Sequence, residues 1–165
     1  ALVGDIQFGF NMTNIFDAYV NPMTEYPDDR FDGGAADLGL DVKSDLPLFG
    51  DMSYSLYSEY SGPINLFGDD TQGFARIQHS YNGKSLNQLS DDGNAPRYTQ
   101  GDYRVTDLIM GFDVGDWKAQ LSLNNITDER GISFRDSSDF DPYYGRYSDS
   151  VIRPKNYSLS LRRYF

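Results

Sequence analysis

Asp136-Ser137-Ser138-Asp139-Phe140-Asp141 packs three carboxylates and two hydroxyls into six residues, the hard-oxygen donors that Ca²⁺ takes. The ordered Asp-x-Asp-x-Asp-Gly spacing with its later Glu is missing, so Asp136, Asp139 and Asp141 form only a weak Ca²⁺ set. A solvated acidic loop explains the run better. Acid recurs at Asp28, Asp29 and Asp32, at Asp69, Asp70, Asp91 and Asp92, and at Asp149. Aromatic rings share these stretches, at Tyr19, Tyr26, Phe31, Phe140, Tyr143, Tyr144 and Tyr147. Such rings give contact area with few rotamers to freeze, and could stack on a sugar or a siderophore. Tyr26, Phe31, Tyr143, Tyr144 and Tyr147 are the ligand-binding candidates, although loop packing uses the same rings.

Catalytic chemistry finds little to work with. His79 is the only histidine and Cys is absent, which removes His-based triads, multi-histidine metal sites and thiolate nucleophiles. No Ser has a recognisable base beside it, and the paired carboxylates lie in loops without a partner to raise one pKa. The chain reads as a non-enzyme that needs no cofactor. A net charge of −11 and a pI near 4.3 argue against nucleic acid or anionic lipid as a partner.

The elements that would position these residues are strands. Six stretches alternate polar and apolar side chains with the period of two that a strand imposes. They span about 4–15, 36–46, 50–62, 101–113, 115–126 and 155–165. In the last, Tyr157, Leu159, Leu161 and Phe165 share one face, with polar residues between them. About ten such residues cross a bilayer at a tilt. Mean hydropathy is −0.57, and no run approaches the roughly 18 apolar residues of a membrane helix. That value does not exclude a membrane barrel, because half of each strand faces a polar interior. Thirteen Tyr and eleven Phe against one Trp suit strands and interfacial girdles.

Connection lengths alternate as well. Long polar loops at 16–35, 63–100 and 127–154 interleave with tight turns at Pro47-Leu48-Phe49-Gly50 and Val114-Gly115-Asp116. This parity, and Arg76 and His79 falling on opposite faces, place Gly73–Gly83 as a hairpin inside a long loop. Residues 4–17 also match 115–128 without a gap, sharing Gly-Asp at the start and Asn-Ile-x-Asp at the end. Common strand requirements account for that match as readily as duplication does.

The order of these segments resembles the C-terminal part of a TonB-dependent outer-membrane receptor. Gly101 through Phe112 is similar to that family's third-from-last strand. Trp117 through Asp128, closing in Asn125-Ile126-Thr127-Asp128, is similar to the penultimate one. Arg153-Pro154-Lys155-Asn156-Tyr157-Ser158-Leu159-Ser160-Leu161 with Phe165 is similar to the terminal strand, where Tyr157, Leu159, Leu161 and Phe165 would be the barrel-assembly signal. Ile126 replaces the usual Leu, and Arg163 stands where an apolar residue is commoner. The specific likeness covers about the last 65 residues; the first 100 agree in pattern only.

The resemblance implies an all-β fold, an antiparallel transmembrane barrel of 22 strands of which this chain holds the last six or so. It also implies an N-terminal plug, absent here, through which TonB energises uptake of a scarce bulky nutrient: a siderophore, a vitamin or an oligosaccharide. The expected partners are the remaining barrel strands, the plug, outer-membrane lipid and lipopolysaccharide, which divalent ions could bridge to the acidic loops. Lys118, Gln120, Asn124, Asn156 and Arg162 are the lumen-lining candidates. Six strands cannot close such a barrel, and the chain lacks both an initiator Met and a signal region, so a processed or truncated piece is expected. Two other architectures remain open. A complete eight-stranded outer-membrane barrel with a structural or adhesive role would need Gly73–Gly83 and one further strand. A secreted β-sandwich would need two buried faces.

Overall fold

The computed structural model describes residues 4–16, 19–20, 44–45, 47, 50–65, 71–88, 97–141 and 146–165. These residues are all β, with no helix among them. The strands are β1 (Asp5–Asn14), β2 (Tyr19–Val20), β3 (Ser44–Asp45), β4 (Met52–Pro63), β5 (Gln72–Asn82) and β6 (Ser85–Leu86). They continue as β7 (Thr99–Gln100), β8 (Tyr103–Val114), β9 (Trp117–Asn124), β10 (Ile132–Asp141), β11 (Arg146–Val151) and β12 (Asn156–Arg163). Six of them form one antiparallel sheet in the order β1-β4-β5-β8-β9-β12, so β1 and β12 are its edges. No closed barrel forms among the described residues. β10 and β11 make a separate hairpin, and β2–β3 and β6–β7 are short ladders.

Residues directly opposite in an antiparallel ladder share a face, so the register sorts the side chains. One row reads Phe8, Ser58, Ile77, Leu108, Leu123, Tyr157 across the sheet. The next on the same face reads Ile6, Tyr60, Ala75, Met110, Leu121, Leu159. On the opposite face a row reads Gln7, Glu59, Arg76, Ile109, Ser122, Ser158. One face is therefore mostly apolar and the other mostly polar. Among the described residues nothing covers the apolar one: no hydrophobic residue of theirs is buried, and Phe8 and Tyr157 are 77% and 79% exposed.

The apolar band crosses the strands obliquely. On β1 it runs from Ile6 to Met12, centred at Gly9; on β9 it runs from Trp117 to Leu123, centred at Gln120. The Gly9 row passes through Tyr57, Gln78 and Asp107 and, continuing the register, meets β9 at Asn124. The band has thus slipped by four positions, from Asn124 to Gln120. At the rise of a strand that is about 14 Å, over about 19 Å of sheet, a slant of roughly 35°.

One expectation is corrected. Gly73–Gly83 is no loop hairpin: Gln72–Asn82 is a full interior strand, paired along its length with β4 and β8. Its alternation is weak because the slanted band leaves it early. Its apolar face carries only Ala75 and Ile77 before His79, whose Nδ1 meets Thr106 Oγ1 at 2.8 Å. Phe74, on the polar face, lies over Gly111, where a Cβ would come within 2.7 Å of the ring. The expected strand 36–46 lies mostly outside the described residues, and β1 pairs β4 directly. Only Ser44–Asp45 of it lies within the described residues, paired with Tyr19–Val20 outside that sheet.

The alternation of lengths persists with different members. Connections 15–51, 83–102 and 125–155 are long, and 64–71 and 115–116 are short. In sequence, Asp69 and Asp70 accordingly belong to the short connection 64–71, and Asp91 and Asp92 to the long one 83–102. In the tightest turn Val114 faces Trp117, and Gly115 takes φ +53°, as the first central position of a type II′ turn demands.

Candidate functional site

The polar face carries a connected network at its centre. Arg76 lies 3.6 Å from Glu59, stacks 4.1 Å from the Tyr57 ring centroid and donates to Gln78 Oε1 at 2.9 Å. Gln78 reaches Ser80, which donates to Ser55 Oγ. Tyr57 can lie flat toward β1 because residue 9 is Gly; any Cβ there would overlap the ring. This exposed ion pair is worth little in isolation, about 0–1 kcal/mol, and its effect is to fix the orientation of Arg76.

The lumen-lining candidates fall on this same face. Lys118 bridges to Asp113 at 3.1 Å and stands opposite Arg162. Gln120 donates to Ser122, and Asn124 to Asn156 Oδ1 at 2.9 Å. Tyr157, Leu159 and Leu161 line the apolar face of the edge strand β12, with Phe165 fully exposed beyond it. Arg163 is on that apolar face too, its guanidinium 5.2 Å from the Trp117 ring and 4.9 Å from the Phe165 ring.

The long connection after β9 is tied at its base by Asn125, which is 2% exposed. Its side chain donates to the carbonyls of Glu129 and Arg153, each at 3.0 Å, and accepts from the Glu129 N–H at 2.9 Å. Its own N–H donates to Asp107 Oδ1. Asn125 and Asp128 hold φ near +50°, the left-handed region that Asn and Asp tolerate best. Asp128 closes the ring by accepting from Arg130 and from the Lys155 N–H. These two bonds, the first above all, hold its carboxyl below the ordinary value. Further out, a two-pronged pair of Arg135 with Asp149 at 2.6 and 2.7 Å lowers the Asp149 carboxyl likewise.

At the end of the sheet where the long connections leave, two adjoining cavities of about 230 and 280 Å³ open on the polar face. They share Thr13, Ser53 and Asn82, which are opposite one another in the ladder. Sequence reading missed these residues. Their polar alternation marked the wet side of β1 and β4, but β5 had been set aside as a loop and its register was not legible.

Of the loop candidates, Tyr26, Phe31, Tyr143 and Tyr144 lie outside the described residues. So does the side chain of Tyr147, whose backbone belongs to β11. Asp136 stands opposite Ser148 in the β10–β11 hairpin, while the Asp139 and Asp141 side chains are outside the description. Among the described residues no three acidic, histidine or cysteine side chains gather as a metal ion requires. No protein-family model, curated protein or solved structure matches the chain.

Proposed function

We propose that this chain is a stretch of wall from a TonB-dependent outer-membrane receptor, serving energised uptake of a bulky nutrient from its loop-bearing side. The observation that carries the reading is the uncovered apolar band and its slant of roughly 35°, computed from the strand rise and spacing. Strands of outer-membrane barrels tilt by about 35–45°, so a band level with the bilayer must cross them obliquely by about that much. A sandwich would bury such a face against a second sheet. The apolar rows have no such cover among the described residues.

Alternating long and short connections support the same orientation, with long loops outside and short turns on the periplasmic side. The free edges of β1 and β12 would each leave backbone groups unpaired in lipid, at several kcal/mol per group. The reading therefore includes further strands, plus the plug and TonB that the resemblance implies. The polar face, with Lys118, Gln120, Asn124, Asn156 and Arg162, would look into the lumen.

The absence of Cys makes the test simple. Single cysteines at 157 through 162, in the protein expressed in its own outer membrane, are challenged with a water-soluble and a lipid-soluble maleimide. Positions 158, 160 and 162 should take the first reagent, and 157, 159 and 161 the second. Uniform labelling by the water-soluble reagent would sink the proposal.

A further inference from the structure

We infer that the paired cavities at the loop-side end of the polar face form a binding site for a neutral polyhydroxylated ligand, a glycan. The inference names the cargo class and rests on that end facing outward, as proposed above. Its first basis is the lining. Thr13, Ser53, Asn82, Gln100 and Ser133 bring hydroxyls and amides, Tyr103 brings a ring, and among the described residues no Asp, Glu, Lys, Arg or His lines either cavity. Hydroxyls and amides donate and accept at once, which matches a sugar hydroxyl doing the same. A ring beside them offers the flat apolar patch that a pyranose face covers.

The second basis is an unmet donor. Gln100 is 6% exposed, and its Oε1 takes a long bond of 3.5 Å from Ser85 Oγ. Its Nε2 is buried without a hydrogen-bond partner among the described residues. A buried amide donor left unsatisfied is costly, and an acceptor atom of a water or of a ligand removes that cost. Gln100 lines the same cavity as Thr13, Ser53 and Tyr103. A ligand hydroxyl there would complete the Gln100 amide.

Charge decides between cargo classes. The connections 15–51, 83–102 and 125–155 carry Asp28, Asp29, Asp32, Asp91, Asp92 and Asp136 in sequence, with the whole chain at −11. An anionic chelate would meet repulsion on approach and no cation in the cradle. A cationic ligand would be drawn inward yet find no carboxylate to replace its water. A neutral ligand incurs neither cost. The cavities together approach the size of small-molecule pockets, about 300–1,000 Å³.

The test uses the whole receptor in outer-membrane vesicles and four probes: maltohexaose, cellohexaose, a hexamer of galacturonate and a ferric catecholate chelate. At least one neutral hexamer should bind, and Gln100→Leu should weaken it at least tenfold while leaving folding unchanged. Ser133→Ala, at a residue whose hydroxyl already donates to the Ser150 carbonyl, guards against a Gln100 variant that misfolds and should weaken binding severalfold. Preference for galacturonate or the ferric chelate would overturn the inference. So would Gln100→Leu and Ser133→Ala that bind the neutral hexamers as the parent does, even if plug docking were altered. The cysteine labelling above is read on the same vesicles, so the two ideas fail separately. Membrane labelling with chelate binding removes only the glycan, and glycan binding without membrane labelling removes only the receptor.

Discussion

Replacing Asn125 by Ala strips the clasp at the base of the 125–155 connection. The carbonyls of Glu129 and Arg153 lose a donor and the Glu129 N–H loses its acceptor. Glu129 and Arg153 are exposed enough for water to replace part of each bond, so each loss sits near about 1 kcal/mol, the low end for an unmade hydrogen bond. Alanine at φ +50° adds about 1 kcal/mol more, because it keeps the Cβ that crowds the carbonyl and loses the short polar side chain that lets Asn hold the left-handed region. The clasp should therefore weaken by about 3–4 kcal/mol. Hydrogen exchange at the amides of Glu129, Ile152 and Lys155 is the readout. Their protection should fall by roughly a hundredfold to a thousandfold, at 1.4 kcal/mol per tenfold change. Asn125→Gly removes the same side chain without the backbone strain and should recover about fivefold of that loss. Unchanged protection in Asn125→Ala would refute the reasoning. An equal loss in β1 would refute it too, since the effect would then be global rather than a local clasp.

Three further outcomes are expected. Leu159→Arg, on the apolar face, should cost about 2–4 kcal/mol of barrel stability in bilayers if that face meets mid-membrane lipid, whereas Ser160→Arg, one residue on, should cost less than about 1; urea unfolding in vesicles compares them. Gly9→Ala should push the Tyr57 ring aside and cost about 1 kcal/mol, the low end for overpacking because the ring can swing, and Tyr57→Ala should cancel that cost in the double variant. Asp128 and Asp149 have folded pKa values below their ordinary ones, so their stabilisation is complete above about pH 4 and disappears as pH falls through the lowered values. Exchange at the loop base should stay flat from pH 7 to about pH 4 and rise below it, after correction for intrinsic rates.

Where a strand's apolar face lies wholly inside the band, its sequence shows it. Ile6 through Met12 on β1, Trp117 through Leu123 on β9 and Tyr157 through Leu161 on β12 alternate without interruption, and their bounds differ from the expected ones by a few residues at most. β5 was hidden because half of its nominally apolar face rises above the band and is polar there, at His79, and because Phe74 faces the other way over Gly111. Period-two reading assumes that a strand keeps one polarity per face along its length, and a slanted band breaks that assumption. Of the segment 36–46 only Ser44–Asp45 lies within the described residues, and its alternation did not announce its partner, Tyr19–Val20. Pairing is non-local, and no local pattern specifies it. The polar-face position of residues such as Lys118 and Asn124 was legible from alternation alone. The Gln100 amide was not, because its unmet donor arises only where β6, β7 and the sheet end meet.

The Asn125 clasp has a consequence for what lies between its ends. Because Asn125 grips Arg153, and Asp128 the Lys155 N–H, the ends of the connection are joined at the sheet independently of the shape of the intervening residues. Closure of that loop is set by the clasp, so lengthening the insert twofold adds only about 0.6 kcal/mol of entropy. The stretch 131–152 thus behaves as a replaceable cassette. New sequence can then be spliced into it while the sheet keeps its register, so the surface the insert presents can change without a change in how the sheet pairs.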